Sequence, residues 1–304
     1  MSDVALQEEA EPTPAPAETA DIPKKKGWGI GFWLSVAWTV FIVVLSAGAP
    51  YLPFVDEPGA FAITNPSFAS PSADHWLGTN QNGDDIFSQV ANGGRTSLII
   101  GVSVVVLGLL TGGVIGMVAG YFRGRTDRLI SAVVDVMLAF PALVLALAMI
   151  SIFASDGSVI RPNLTVVIGS LSILSIAPLA RITRGITLAF AEREFVTAAR
   201  TLGAKNGRII RREILPNVIP PMAVFSLTVI AVVIVAEGAL AYLGLSVSAP
   251  APTWGKLILA GRDDLETHPH VTFVPAMVMF LTILSLNYIG DVLQGKFTVR
   301  EGAI

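Results

Sequence analysis

Six stretches of this chain run long enough without Asp, Glu, Lys, Arg or His to cross a bilayer. They lie between Lys26 and Asp56, Arg95 and Arg123, Asp135 and Asp156, Arg161 and Arg181, Glu213 and Glu237, and His270 and Asp291. A helix needs about 20 apolar residues to traverse the hydrocarbon core. Trimming turn-like ends predicts membrane helices near 28–50, 97–121, 131–153, 163–181, 217–243 and 271–292. Buried helices of a soluble enzyme would be the competing reading, but six such runs in one chain weigh against it. Composition agrees: 14% of residues are charged, against about 25% in soluble domains.

Lysine and arginine set the orientation. With the N-terminus in the cytoplasm, sixteen of the twenty basic residues fall inside, and Arg95, Arg161, Lys256 and Arg262 fall outside. The reading is therefore an all-α integral membrane protein of six spans, with both termini cytoplasmic. The first span also resembles a signal peptide: Lys24–Lys26, an apolar run and Ala47-Gly48-Ala49. That run exceeds the usual 7–15 residues of such a segment, which favours a retained span.

The expected organisation follows. Residues 1–27 are a disordered cytoplasmic tail, and the segment before Lys24 is rich in Ala, Pro and Glu. Residues 28–50 are the first span, 51–96 an extracytoplasmic segment, 97–295 the core transmembrane domain, and 296–304 a cytoplasmic tail. A net charge of −3 gives no footprint for nucleic acid, and the absence of cysteine excludes disulfides and thiolate metal sites. His75, His268 and His270 are scattered along the chain, so no metal site is expected.

Gly108, Gly112, Gly116 and Gly120 recur at spacing four within the second run. Such a stripe lets another helix approach closely. That helix can belong to the same subunit or to a partner; the spacing leaves both open. Asp135, Glu237 and Asp291 lie near span ends, with Asn287 close by, and are the candidates for gating or the translocation pathway. Their placement near the ends suggests pairing with neighbouring arginines. A proton-coupled carrier would carry its acidic groups deeper.

The long inside connection predicts a helix over 191–203. Phe195, Ala198, Ala199 and Leu202 recur at i, i+3, i+4 and i+7 and form one apolar face. Gly203 ends that helix, a second short helix runs from about 208 to 214, and Pro216 opens the approach to the fifth span. An apolar stripe with a basic rim suits a groove on a soluble partner.

Here a family resemblance enters. Thr197-Ala198-Ala199, then Gly203, then Leu215-Pro216, resembles the EAA loop of ATP-binding-cassette importer permeases, within 191–216; Thr197 stands where that family has Glu. His75 to Thr79, Gly83-Asp84-Asp85, Gly94 to Leu98, Glu237, Tyr242 to Leu245, Pro252 to Gly255 and Asn287 to Asp291 resemble the C-type permeases of its dipeptide/oligopeptide/nickel branch. Asn80 and Asp84 replace the usual Asp and Arg, and Gln294-Gly295-Lys296 departs from the usual ending.

The resemblance implies a subunit that pairs with a homologous permease, two ATPase subunits and an extracytoplasmic solute-binding protein. The loop 191–216 would dock on the ATPase. ATP and magnesium would belong to the ATPases, because this chain has no G-x-x-x-x-G-K-[ST]. No cofactor and no catalysis are expected in the chain itself. Short peptides are the first choice of solute, with nickel or another small solute as alternatives. A secondary transporter and an uncoupled channel or assembly subunit are the rival readings.

Overall fold

The computed structural model describes residues 28–57, 65–156, 159–160 and 162–301, with backbone alone at 155–156, 159–160 and 297–301. The tail expected at 1–27 lies outside them. Helix α1 is Ile30–Gly48. Helix α2 (Ile86–Gly108), a π turn at Leu109–Gly113 and α3 (Val114–Phe122) form one long span. Helices α4 (Gly124–Ala139) and α5 (Ala142–Phe153) follow. Strands β1 (Ser155–Asp156) and β2 (Val159–Ile160) pair antiparallel as a short hairpin. Then come α6 (Leu164–Ala191), α7 (Glu194–Thr201), α8 (Asn206–Ile209), a π turn at Ile210–Ile214, α9 (Leu215–Tyr242), α10 (Trp254–Ala260) and α11 (His270–Glu301). Five of the described helical segments are long and apolar enough to cross a membrane, and the α4–α5 pair makes a sixth if counted as one bent span.

Helix α6 lies against α2, α3, α4 and α5, while α9 joins α2 to α11 and α1 covers α11 and α2. Ile100, Val104, Leu171, Leu179, Val218 and Leu240 fill the space between α2, α6 and α9. Ile42, Ile234, Trp254 and Leu286 form a second cluster beside it. The outward faces keep large apolar side chains exposed, including Val44, Val106, Val133 and Phe280. That is the arrangement a lipid solvent permits and water would not.

The glycine stripe meets α6 of the same chain. A Cβ on Gly112 would stand 2.5 Å from the carbonyl oxygen of Ile176, and one on Gly120 2.7 Å from that of Arg184. Gly116 faces the Ala180 carbonyl, while Gly108 meets the Ser175 and Leu179 side chains. Backbone thus lies on backbone from Gly112 to Gly120, about two turns.

Four expected boundaries move. The second span starts at Ile86, eleven residues before the expected 97, because Asp85 caps α2: its Oδ2 accepts from the Ser88 N–H at 2.8 Å. The fourth continues to Ala191 rather than 181. Pro216 does not separate the fifth span from the preceding helix. It sits directly after the π turn at Ile210–Ile214, and the helical run is continuous from Asn206 to Tyr242. The last helix passes the expected tail boundary at 296 and reaches Glu301.

The third span, expected as one helix over 131–153, is broken. Helices α4 and α5 meet at 88° around Phe140-Pro141. A residue before proline is pushed out of the α region, and Phe140 is extended at φ −80°, ψ 137°.

Candidate coupling surface at the basic end

Helix α6 ends at Ala191, and the chain turns through Glu192 and Arg193 into α7. Gly203 adopts φ +79°, the left-handed conformation that ends helices. The Gly203 N–H donates to the Arg200 carbonyl at 2.9 Å, and the Ala204 N–H donates to that of Ala199 at 3.0 Å. The chain therefore reverses within a few residues and enters α8.

Three side chains anchor this excursion in the bundle: Val196, Ile209 and Ile214, each fully buried. Val196 was not part of the expected apolar stripe, and the stripe itself divides. Ala199 is half-buried and packs toward the core on the same side as Val196. Phe195, Thr197, Ala198 and Leu202 remain exposed, with Leu202 at 88% and Phe195 at 38%. Two faces are used: Val196 and Ala199 hold the helix down, and Phe195, Ala198 and Leu202 are presented outward. Leu215 packs against the core at the start of α9.

A second tie comes from α3. The Tyr121 ring is buried and lies 5.3 Å from the Arg200 guanidinium. A cleft of 470 Å³ opens beside it, lined by Tyr121, Arg123, Glu192, Thr197, Arg200 and Asn206. Arg123 pairs with Glu192 at 2.9 Å across it.

The candidate pathway residues do not converge. Asp135 pairs with Arg181 at 2.9 Å on an exposed face, as the arginine-pairing expectation has it. A neighbouring pair joins Asp127 to Arg184, whose Nη2 donates to Oδ2 at 2.7 Å. Glu237 departs from that expectation. It is 1% exposed, its Oε1 accepts from the Ser246 hydroxyl, and Ser97, Thr253 and Lys256 surround it without an arginine. Burial pushes the Lys256 ammonium below its usual pKa, and the Glu237 carboxylate opposes that shift. Asn287 donates to the Ile283 carbonyl of its own helix at 3.0 Å, and Asp291 is exposed.

At the opposite end the short helix α10, which no apolar run predicts, inserts against α2. The Trp254 indole is fully buried and its Nε1–H donates to the Val90 carbonyl at 3.0 Å. Gly93 and Gly94 make room for the ring. The signal for this helix was present in Thr253, whose hydroxyl caps it through the Lys256 N–H. The histidines also lie at this end: His268 stacks on Phe68 at 4.0 Å, and His75 lies 3.4 Å from Asp85. Among the described residues no group of three side chains could hold a metal ion.

Residues 112–300 match the family described as binding-protein-dependent transport system inner membrane component. The chain belongs to that family. A glutathione transport system permease protein, GsiD, of Pectobacterium atrosepticum is 35% identical over 264 residues, covering 86% of this chain and 85% of the relative. A dipeptide transport system permease protein, DppC, of Alkalihalophilus pseudofirmus is 32% identical over 300 residues, covering 94% and 96%. The fold is also that of a chain in an inward-facing structure of the MetNI methionine ABC transporter. The two superpose with a TM-score of 0.57 at 17% identity, over 68% of this chain and 95% of the other. The protein is thus a multi-pass inner-membrane permease subunit of an ATP-binding-cassette importer, working with other permease and ATPase subunits. Hydrolysis of ATP is the task of the separate ATPase.

Proposed function

We propose that this permease carries short peptides inward across the cytoplasmic membrane by alternating access. The similarity to both a dipeptide and a glutathione permease over most of each chain carries the reading, since glutathione is itself a tripeptide. Both termini and the α7–α8 excursion lie in the cytoplasm, a placement that the sixteen-to-four division of basic residues supports. Phe195, Thr197, Ala198 and Leu202 meet a groove on an ATPase subunit, and Gly203, Leu215 and Pro216 shape the connection that carries its motion to α9. The complete assembly holds a homologous permease, two ATPases that bind ATP with magnesium, and an extracytoplasmic solute-binding protein. Each state must bind its ligands with different affinity for ATP to drive the cycle.

The test is uptake of labelled dipeptide and of labelled glutathione by cells carrying or lacking this gene. Loss of either uptake in the deletion, restored by the gene, is expected. Uptake of both unchanged in the deletion, while another solute depends on the gene, would remove the peptide reading.

A further inference from the structure

Helix α4 is attached to the bundle differently from its neighbours. Of its 16 residues Val134 is the one that is buried, whereas α6 and α9 each bury 11 of 28. Its apolar seam with α6 is small: Val134, Ala177 and Ala180, flanked by Ile130 and Met137. A cleft of 240 Å³ interrupts the packing, bordered by Gly116 and Ala119 of α3, Ser131 of α4 and Ala180 of α6. Apolar contact fixes a position where side chains interdigitate closely, and here they do so over a short stretch.

Charge supplies what packing lacks. Asp127 takes the Arg184 guanidinium as a fork, Nε on Oδ1 and Nη2 on Oδ2, the latter at 2.7 Å. Ser131, one turn on, donates to the same Oδ1 at 3.2 Å. Asp135 pairs with Arg181 at 2.9 Å. At the head of α4, Arg123 pairs with Glu192 at 2.9 Å and donates to the Leu188 carbonyl at 3.4 Å. The pairs run as an antiparallel ladder: positions 123, 127 and 135 meet 192, 184 and 181 in that order. Asp127 and Asp135 lie about 12 Å apart along α4, so their pairs fix its direction as well as its place.

Stability alone does not account for the ladder. Exposed ion pairs contribute little to it, and the side chains of the 123–192 and 135–181 pairs are 44% to 69% exposed. What a forked guanidinium–carboxylate pair adds is geometry. The helix holding the other half is also a stiff one. Helix α6 continues through Pro178, whose neighbours Ala177 and Leu179 are buried, and it runs to the turn that enters α7.

We propose that this ladder makes α4 follow the α6–α7 junction as one body. Asp127, Asp135, Arg181 and Arg184 are then positioning residues that pass ATPase-driven motion into α4. The proposal rests on the docking of α7 described above, and not on the identity of the solute.

The test compares two double variants with the wild type in the full transporter complex. Asp127→Asn with Arg184→Gln removes both charges and leaves neither unpaired. Asp127→Arg with Arg184→Asp restores the pair in reverse. The protein has no cysteine, so spin labels at Leu129→Cys and Ala189→Cys, exposed positions on α4 and α6, report one distance. It is measured without nucleotide and after vanadate trapping with ATP. In the wild type and the reversed pair the two states should agree within about 2 Å, and in the neutral pair they should differ by about 5 Å or more. A merely neutralising role predicts that the neutral pair behaves as the wild type, and that result would overturn the proposal. So would a wild-type distance that changes between states, or a neutral-pair change that the reversed pair does not cure. If either variant fails to assemble, Asp135 and Arg181 are exchanged in the same way and read by the same criteria. No solute enters the measurement. Retention of the ATPase by Leu202→Glu is scored in parallel, so the docking reading fails separately.

Discussion

The Tyr121 hydroxyl donates to the Asn206 carboxamide oxygen at 3.0 Å, tying the C-terminal end of α3 to the first turn of α8. The residues are 85 positions apart, and the Arg200 guanidinium closes the same node from α7. Tyr121→Phe keeps the ring and deletes one bond, costing about 0.5–1.5 kcal/mol. The complex should assemble normally, while solute moved per ATP hydrolysed falls. An unchanged ratio in proteoliposomes would make the node structural only.

The division of the α7 stripe separates folding from docking. Leu202→Glu changes a side chain that touches little of its own subunit, so the isolated permease should keep its thermal stability and lose the co-purifying ATPase. Ala199→Glu forces a charge toward the core beside Val196 and should destabilise the permease itself, because an unpaired buried charge is costly. Thermal unfolding in detergent, with and without ATPase, distinguishes them. Equal stability of the two variants would contradict the division.

At the α3–α6 contact, Gly116→Leu sets a side chain against the Ala180 carbonyl and should cost about 1–3 kcal/mol or more. Val106→Leu, on the exposed face of α2, should be silent. Monodisperse yield on size-exclusion chromatography reads the difference, and equal yields would contradict the close approach.

The orientation is checked by single cysteines at exposed positions. Ser72→Cys and Glu266→Cys should react with an impermeant reagent added to intact cells, and Lys205→Cys only after lysis. Labelling of position 205 in intact cells would reverse the assignment.

The long apolar runs announced the membrane helices because lipid demands an uninterrupted apolar stretch, whatever packs around it. Where protein replaces lipid, that rule relaxes. The first half of α2 carries Ser88, Asn92 and Arg95, a mixture that reads as loop, yet Trp254 and Asp85 supply partners there. The same relaxation hid α10. Local pattern also could not rank Pro141 against Pro178, since their difference lies in what surrounds each helix. On α7 the period located an amphipathic helix but not the direction of the bundle, so Val196 was missed and Ala199 was placed on the open side. Glu237 sits near a span end, as read, but the hydroxyls around it come from Ser97 on α2 and from Ser246 and Thr253 in the connection after α9.

The close contact between α2–α3 and α6 repeats on both sides. Glycines at 112, 116 and 120 lie over backbone at 176, 180 and 184, so both surfaces share a four-residue step. A slip of one helical turn would bring glycine back over carbonyl almost unchanged. The stripe thus fixes how near the helices stand but says little about where along each other they stop. That second coordinate must come from features that occur once, such as the Ser175 hydroxyl on the Val104 carbonyl at 3.4 Å and, at the other end, the Arg123 guanidinium on the Leu188 carbonyl at 3.4 Å. The spans meet as two identical rulers laid edge to edge, and end stops of this kind tell one alignment from the next.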